Sequence, residues 1–90
     1  MSTFRLRIVT PDLAYPPREV ESLDVPAEEG RLTVLARHQP MICLVRTGQA
    51  RIAASGGPED WTIAAGVLRV DRGETVLLVP VARQGATRGE

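Results

Sequence analysis

The side chains of this chain that could do chemistry are few, and they stand apart from one another. His38 is the only histidine and Cys43 the only cysteine. A nucleophile activated by a base would need these two side chains in contact, with a carboxylate to orient the imidazole. Cys43 stands between Ile42 and Leu44, which is typical of a buried thiol that packs as a small apolar side chain. We therefore expect His38 to be a loop or interface residue, and we predict no catalytic residue.

Two further motifs favour a structural role over a chemical one. Glu28 and Glu29 could act as an acid–base pair, but adjacent residues point to opposite sides of a strand and are both solvated in a turn. Gly56-Gly57 is followed by no helix start and no Lys-Ser/Thr, so it is typical of a hairpin and not of a phosphate-binding loop. Because no further ligands stand at a workable spacing from His38, we also predict no metal site and no cofactor.

Composition narrows the class of protein. A chain of 90 residues makes one domain, and its eleven acidic residues balance eleven basic ones, all of them arginine. Without a net charge or a basic stripe around Trp61, we predict no nucleic-acid binding. The amino-terminal sequence has no apolar signal segment, and no window reaches the roughly 18 apolar residues of a membrane span. We therefore expect a soluble protein without direct membrane insertion.

Alternation with a period of two residues predicts an all-β chain. In residues 4–8 (FRLRI) the apolar side chains fall on one face and the arginines on the other. We predict a short strand at residues 13–15, and a strand over 19–25 with a bulge near Ser22. Hairpins are expected across the glycine-containing segments 55–60 and 71–74.

Short strands at this spacing predict an antiparallel β-sandwich of about eight to ten strands. The sandwich should occupy residues 1–82, followed by a polar, disordered tail over 83–90. Its core should contain Leu6, Ile8, Val25, Ile52, Ile63, Leu68 and Val79. Residues 25–40 (VPAEEGRLTVLARHQP) are the candidate binding segment, because they predict a long surface loop and loops of that kind usually carry binding.

Several motifs of the sequence resemble those of one family, the epsilon subunit of F-type ATP synthase, in its N-terminal β-sandwich domain. Residues 6–11 (LRIVTP) are similar to that family's first strand, and 23–30 (LDVPAEEG) to its V-x-V-P-G-x-x-G stretch. Residues 34–40 (VLARHQP) resemble G-I/V-L-P-x-H-A-P, with the histidine and the final proline retained. Gly48 and residues 63–67 (IAAGV) fit two further turns with altered signature positions, so the resemblance covers residues 4–82.

The resemblance implies a non-catalytic subunit of the rotor's central stalk, which holds the gamma subunit and the ring of membrane c subunits together during ion-driven ATP synthesis. It implies a peripheral location in the F1 sector, on the cytoplasmic face of the bacterial inner membrane. The interface residues carried over are Glu28, Glu29, Gly30, Arg31 and Leu32 toward the ring, with His38 and Tyr15 near gamma or the ring. Arg31 stands where the family often has an acidic or small residue facing a basic ring loop, so a compensating carboxylate is expected on this ring.

Many members of that family continue into a helical hairpin that inhibits ATP hydrolysis and, in some bacteria, binds ATP. This sequence stops soon after the sandwich, so we expect neither the inhibitory role nor ATP binding. The chain is either a naturally short subunit or a domain-boundary fragment, and its start methionine and polar ending favour the first. Two alternatives stay open: a diverged, free-standing β-sandwich module that binds another protein through an edge strand, and a small hydrolase, which would need a nucleophile–base pair.

Overall fold

Period-two alternation runs through nearly every segment of the chain, and in the computed structural model, which describes residues 2–85, these segments form ten strands and no helix. The strands are β1 (Phe4–Val9), β2 (Arg18–Val20), β3 (Ser22–Ala27), β4 (Gly30–Leu35), β5 (Met41–Val45), β6 (Gly48–Ala54), β7 (Gly57–Ile63), β8 (Gly66–Asp71), β9 (Glu74–Leu78) and β10 (Ala82–Gln84). The predicted all-β fold of eight to ten short strands is confirmed.

All ten strands belong to one sheet that curls into two layers. The order is β10-β7-β6-β3-β5-β8-β9-β1-β2, and β4 pairs with β3 alone. β3 lies at the bend, since its first residues pair with β6 and its last residue, Ala27, pairs with Val45 of β5. Pro26 stands where the ladder to β6 has already ended, so its missing N–H leaves no gap in that ladder.

Alternate side chains of the two layers point inward and form one core. Each residue predicted for the core is at most 3% exposed and belongs to a single cluster of buried side chains, so this prediction is confirmed. Trp61, 4% exposed, and Phe4, 7% exposed, supply the aromatic part of the same cluster. Because most of the core is aliphatic, its stability rests on close packing of small side chains.

The predicted long loop over residues 25–40 is wrong, because most of this segment is a hairpin. β3 and β4 pair from Ser22 opposite Leu35 to Ala27 opposite Gly30, which leaves a turn of only two residues, 28 and 29. Gly30 takes a φ of 128°, a conformation that side chains disfavour and that lets so short a turn close. The loop in this region is residues 36–40, beyond the end of β4.

The predicted strand at residues 13–15 is also wrong. Thr10 and Leu13 form a turn in which the backbone N–H of each donates to the carbonyl of the other, at 2.8 and 3.3 Å. Ala14 makes only an isolated bridge to Val9. The two prolines that follow, at positions 16 and 17, lack the N–H groups that would extend the bridge into a ladder.

The predicted bulged strand over residues 19–25 is in fact two strands, β2 and β3, separated at Glu21. They pair with different neighbours, β2 with β1 and β3 with β4 and β6. The break changes which residues face inward, so Val20 and Leu23, three positions apart, are both fully buried. A bulge would have left the two halves beside the same neighbouring strand.

Both predicted hairpins are confirmed, as β6–β7 and β8–β9, and each turn is only two residues long. The strand directions differ from the prediction at one place, since β1 and β9 run parallel. β10 extends to Gln84 and pairs with β7, so Arg83 and Gln84 are strand residues and not the start of a tail. Residues 86–90 of the predicted tail lie outside the described residues.

Two glycines differ sharply in the room around them. A Cβ on Gly66, at the start of β8, would lie 2.1 Å from the Leu78 carbonyl oxygen and 2.9 Å from the Val79 Cα. A Cβ on Gly56, in the β6–β7 turn, would meet nothing within 4 Å. Gly66 is therefore fixed by close approach of the backbone, whereas Gly56 is not.

We expect Gly66→Ala to lower the free energy of unfolding by about 1–3 kcal/mol or more, because β9 is held by β1 and cannot move aside freely. The matched control, Gly56→Ala, should change it by less than about 0.5 kcal/mol. Urea unfolding followed by circular dichroism measures both variants. Equal losses would contradict the close approach of β8 and β9.

Candidate functional site

The residues predicted to face a partner, 28–32, form the turn of the β3–β4 hairpin and the start of β4. We call Glu28 and Glu29 the acidic tip. Both side chains are exposed, and neither carboxylate has an ion-pair partner within residues 2–85. Within residues 2–85 the two carboxylates are therefore not neutralised by an ion pair, although Arg46 lines the same cleft as Glu28.

Arg31 does not add a free positive charge beside this tip. Its Nε donates to Asp24 Oδ1 at 2.9 Å, and its Nη1 donates to the Gln49 carbonyl oxygen at 2.9 Å. These bonds tie β4 to β3 and β6, although an exposed ion pair of this kind contributes only about 0–1 kcal/mol. Arg31 therefore presents a compensated charge and serves mainly to hold the hairpin in place.

Four apolar side chains stand next to one another on the outer face of β5, β8, β9 and β1. The cross-strand register places Leu44 beside Val67, Val67 beside Leu78, and Leu78 beside Val9. Leu44 is 52% exposed and Leu78 is 42% exposed. We call these four residues the apolar row. Ile42, two positions before Leu44 on β5, extends this apolar surface and is 70% exposed.

Sequence reasoning missed the apolar row because it assigned no outward-facing apolar residues to β5. Ile42 and Leu44 were expected to flank a buried Cys43, but they point outward and Cys43 points inward, where it is only half-buried. Burial still raises the pKa of the Cys43 thiol, which lowers its thiolate fraction at neutral pH. The signal that could have found the row is the apolar content of both faces of β5.

The outer face of the other layer carries two ion pairs. Asp24, Arg51 and Asp60 are cross-strand neighbours on β3, β6 and β7, and Arg51 Nε lies 2.9 Å from Asp60 Oδ1. Arg31 adds the pair with Asp24 described above. A surface of exposed, compensated charges is well solvated, so the apolar row is the face that gains more from being covered.

The acidic tip and the apolar row adjoin. The backbone N–H of Glu28 donates to the Leu44 carbonyl oxygen at 3.2 Å. Glu28, Leu44 and Val67 line one cleft of about 540 Å³. The molecule therefore carries a continuous surface that is negative at the hairpin turn and apolar along four strands.

His38 lies away from this surface, in loop 36–40 at the opposite end of β4. Its Nδ1 is 2.8 Å from the Gln39 carbonyl oxygen, and because a carbonyl only accepts, Nδ1 carries the hydrogen. His38 lines a cavity of about 590 Å³ with Arg37 and Arg72, whereas Cys43 lines a different groove beside the acidic tip. The structure thus brings His38 to neither Cys43 nor the tip.

Tyr15 lies at the seam where the two ends of the curled sheet, β2 and β10, approach each other. Its ring meets the Trp61 ring edge-on, with centroids 5.1 Å apart and planes at 86°. Its hydroxyl donates to the Ala82 carbonyl oxygen at 3.2 Å. These contacts give Tyr15 a packing role within this chain.

An ion pair completes the seam. Arg18 of β2 donates two hydrogen bonds to the Glu59 carboxylate of β7, at 2.8 and 2.5 Å, and Trp61 Nε1 donates a third at 3.1 Å. The side chains of Arg18 and Glu59 are 35% and 18% exposed. The hydrogen bonds from Arg18, and then from Trp61, hold the pKa of Glu59 below its ordinary value, although partial burial opposes them. Sequence reasoning missed this pair because its partners are far apart in the chain.

Within residues 2–85, no three His, Cys, Asp or Glu side chains cluster so that they could hold a metal ion. In the same range, no helix is long and apolar enough to cross a membrane.

The sequence matches a known protein family over nearly its whole length. Residues 3–85 match the family described as ATP synthase, Delta/Epsilon chain, beta-sandwich domain. The ATP synthase epsilon chain of Dichelobacter nodosus is 36% identical over 92 residues, which cover 100% of this chain and 64% of the relative. That of Bacillus pumilus is 34% identical over 82 residues, covering 91% and 63%. This chain therefore spans about three fifths of the length of these relatives.

Two solved structures share the fold. One chain in a structure of the Euglena gracilis mitochondrial ATP synthase, comprising OSCP, F1 and c-ring, matches with a TM-score of 0.85 at 20% identity, covering 91% of this chain and 53% of that one. A chain from the central stalk and c-ring of the Tetrahymena thermophila mitochondrial ATP synthase matches with a TM-score of 0.77 at 13% identity, covering 88% and 64%. At such identities the likeness establishes the fold alone.

The seam yields a prediction about pH. Glu59 has a lowered pKa when folded, so its contribution to stability is complete above its ordinary value of 4.5 and is lost as the pH falls through the lowered value. We expect Glu59→Gln to cost about 1–3 kcal/mol at pH 7, and to flatten the fall in unfolding free energy between pH 7 and acid. Urea unfolding at a series of pH values measures this.

Glu29→Gln is the matched control, because Glu29 is exposed and unpaired within residues 2–85. It should leave both the stability at pH 7 and its pH dependence close to wild type. If Glu59→Gln kept the full wild-type pH dependence, the Arg18–Glu59 pair would not be what stabilises the seam.

Proposed function

The chain belongs to the family of ATP synthase delta/epsilon chain β-sandwich domains, and from that premise we propose that it is the sandwich of an epsilon subunit that couples gamma to the ring of c subunits in the rotor. In this role it is non-catalytic. The observation that carries the proposal is the continuous surface formed by the acidic tip and the apolar row. A coupling element has to hold two partners at once. This surface offers negative charge for one partner and, beside it, apolar side chains for the other.

The acidic tip is the proposed contact with the ring. Glu28 and Glu29 are exposed and unpaired within the described residues, and they form the two-residue turn of the β3–β4 hairpin. Complementary charge across such a rim contact orients the partners and speeds their association more than it adds affinity. Since Arg31 is paired with Asp24, it leaves no free positive charge for the ring to meet. The partner loop should therefore be basic and should not carry the compensating carboxylate expected from the sequence. Gly30 and Leu32 flank this contact.

The apolar row is the proposed contact with gamma. A sandwich of this size has a small core and gains stability from any partner that binds only its folded state. Covering the exposed parts of Leu44 and Leu78 removes apolar surface from water at about 25 cal/mol per Å². The outer face of the other layer is occupied instead by the ion pairs Arg31–Asp24 and Arg51–Asp60. His38, at the far end of β4, would contact gamma or another partner separately from this row.

The remaining assignments follow from the rotor role. The protein would lie in the F1 sector at the cytoplasmic face of the bacterial inner membrane, without inserting into the bilayer. It would use no cofactor. The two solved structures that share its fold contain an F1 sector or central stalk together with a c-ring, which supports the assignment to that part of the machine. The inhibitory, ATP-binding role that the resemblance attributes to a helical hairpin is not assigned to this sandwich.

Charge reversal at the acidic tip tests the ring contact. We expect the double variant Glu28→Lys, Glu29→Lys to bind a gamma–c-ring assembly more weakly than wild type, with the larger difference at low salt. Exposed charges are screened over about 8 Å at physiological ionic strength, so added salt should shrink the difference. Reconstitution of gamma, this subunit and the ring at two ionic strengths measures it.

Asp12→Lys is the matched control, because Asp12 is exposed and unpaired within residues 2–85 but lies in the turn after β1. It should assemble like wild type at both ionic strengths. If the tip variant and the control assembled equally well, the ring contact would not lie at the acidic tip. That result would favour the alternative of a free-standing binding module.

Polar substitution in the apolar row tests the gamma contact. We expect Leu44→Ser with Leu78→Ser to raise the Kd for gamma about tenfold or more, because both exposed side chains lose apolar contact area. The matched control is Leu13→Ser with Val81→Ser, which are 51% and 48% exposed but outside the row. Titration calorimetry with isolated gamma measures both, and a similar loss in the two double variants would assign gamma to another face.

A further inference from the structure

β4 has one open edge. Within the described residues it pairs with β3 alone, so its other side meets no strand. Pro26, directly opposite Arg31, points its carbonyl away from β4, where it accepts from the Arg46 N–H at 2.7 Å. Because backbone groups alternate between the two sides of an antiparallel strand, Arg31 and Thr33 direct their N–H and C=O groups to the open edge. Such an edge can pair with another extended chain.

A groove of about 450 Å³ runs beside this edge. Its apolar part is lined by Leu32, Met41 and Cys43, and Glu28, Glu29 and Arg31 also line it. These three side chains are half-buried and pack against the core. At the end of β4, Leu35 is 56% exposed. A strand added to β4 would place every second side chain over this groove.

The cavity beyond the end of β4 is basic. Arg37 and Arg72 line it, and neither guanidinium has a hydrogen-bond or ion-pair partner within residues 2–85. The one carboxylate in its lining, Asp71, is already engaged by Arg69 at 2.8 Å. Arg37 has a φ of 69°, a left-handed conformation that costs free energy unless the surrounding structure holds it. Two free arginine side chains in one cavity favour carboxylates as the group bound there.

The acidic tip and the basic cavity also favour one orientation of a segment bound along β4. The acidic tip lies at the start of β4 and the basic cavity just beyond its end, roughly 20 Å apart for a six-residue strand. An acidic chain end is repelled at the tip and attracted at the cavity. A segment that is acidic at one end is therefore favoured to bind along β4 with that end at the cavity.

We propose that the open edge of β4 binds an extended segment of a partner protein, which adds a strand beside Arg31 and Thr33 and places acidic side chains in the cavity of Arg37 and Arg72. The exposed Leu35 between edge and cavity fits a segment that is apolar along the strand and acidic at one end. The interaction rests on the backbone edge at Arg31 and Thr33 and on the Arg37–Arg72 cavity, so it can hold whether or not the rotor role does. The groove itself shares Leu32, Leu44 and the acidic tip with the proposed rotor contacts.

The test uses a synthetic nonapeptide in which six alternating valines and threonines are followed, or preceded, by three glutamates. Each peptide is titrated into the ¹⁵N-labelled chain. We expect one of the two peptides to bind saturably and to slow the hydrogen exchange of the Arg31 and Thr33 amides. A peptide with lysines in place of the glutamates should bind at least about tenfold more weakly. A peptide methylated on alternate backbone nitrogens should lose the protection of those amides.

Arg37→Asn with Arg72→Gln should weaken binding of the acidic peptide about tenfold or more, and asparagine keeps the left-handed conformation accessible. The matched control, Arg46→Gln with Arg83→Gln, removes two other arginines without side-chain partners within residues 2–85 and should leave binding unchanged. The proposal is overturned if the lysine peptide binds equally well, if the Arg31 and Thr33 amides show no protection, or if both double variants behave alike. Thermal unfolding of each variant confirms that it is folded.

Discussion

The closure of a single curled sheet is the constraint on which the rest of this structure depends. The two layers of the sandwich are one ladder, so its end strands, β2 and β10, have no backbone partner in each other. Side chains close the seam instead, through the bidentate Arg18–Glu59 pair and the edge-on contact of Tyr15 with Trp61. A half-buried ion pair must offset its own desolvation, and the third hydrogen bond from Trp61 to Glu59 helps it do so. If the seam opened, the inward faces of both layers would meet water.

The side chains that close the seam are not those of the acidic tip or the apolar row. The acidic tip and the apolar row lie where β3 passes from one layer to the other and along β5 and its neighbours. The other outer face is occupied by internal ion pairs such as Arg51–Asp60. The same residue types thus occur in two settings. Paired charges make a solvated face, whereas the charges at the hairpin turn and beyond the end of β4 form no ion pair within residues 2–85, and the proposed contacts rest on them.

Sequence patterns predicted the features that depend on residues adjacent in the chain, such as which side chains face the core. They missed the features that depend on which strands pair with one another. Period-two alternation placed the core residues correctly because a strand's two faces alternate whatever it pairs with. The same alternation cannot distinguish a parallel neighbour from an antiparallel one, which is why the β1–β9 pair was missed. The β3–β4 hairpin was predicted as a loop because its Glu28-Glu29 turn lacks the Asn-Gly or Asp-Gly signal of short hairpins. The family resemblance pointed to residues 28–32, but the pairing of Arg31 with Asp24 appears only once the strands are in register.

The parallel pairing of β1 with β9 has a consequence for how this protein is made. β1 (Phe4–Val9) is synthesised long before one of its two neighbours, β9 (Glu74–Leu78). Until then the apolar face of Phe4, Leu6 and Ile8 has no complete layer to join. Contacts so distant in sequence form slowly, because the loop between them must close first. The sandwich therefore closes only after β9 has been made, and until then the apolar face of β1 lacks one of the two strands that flank it.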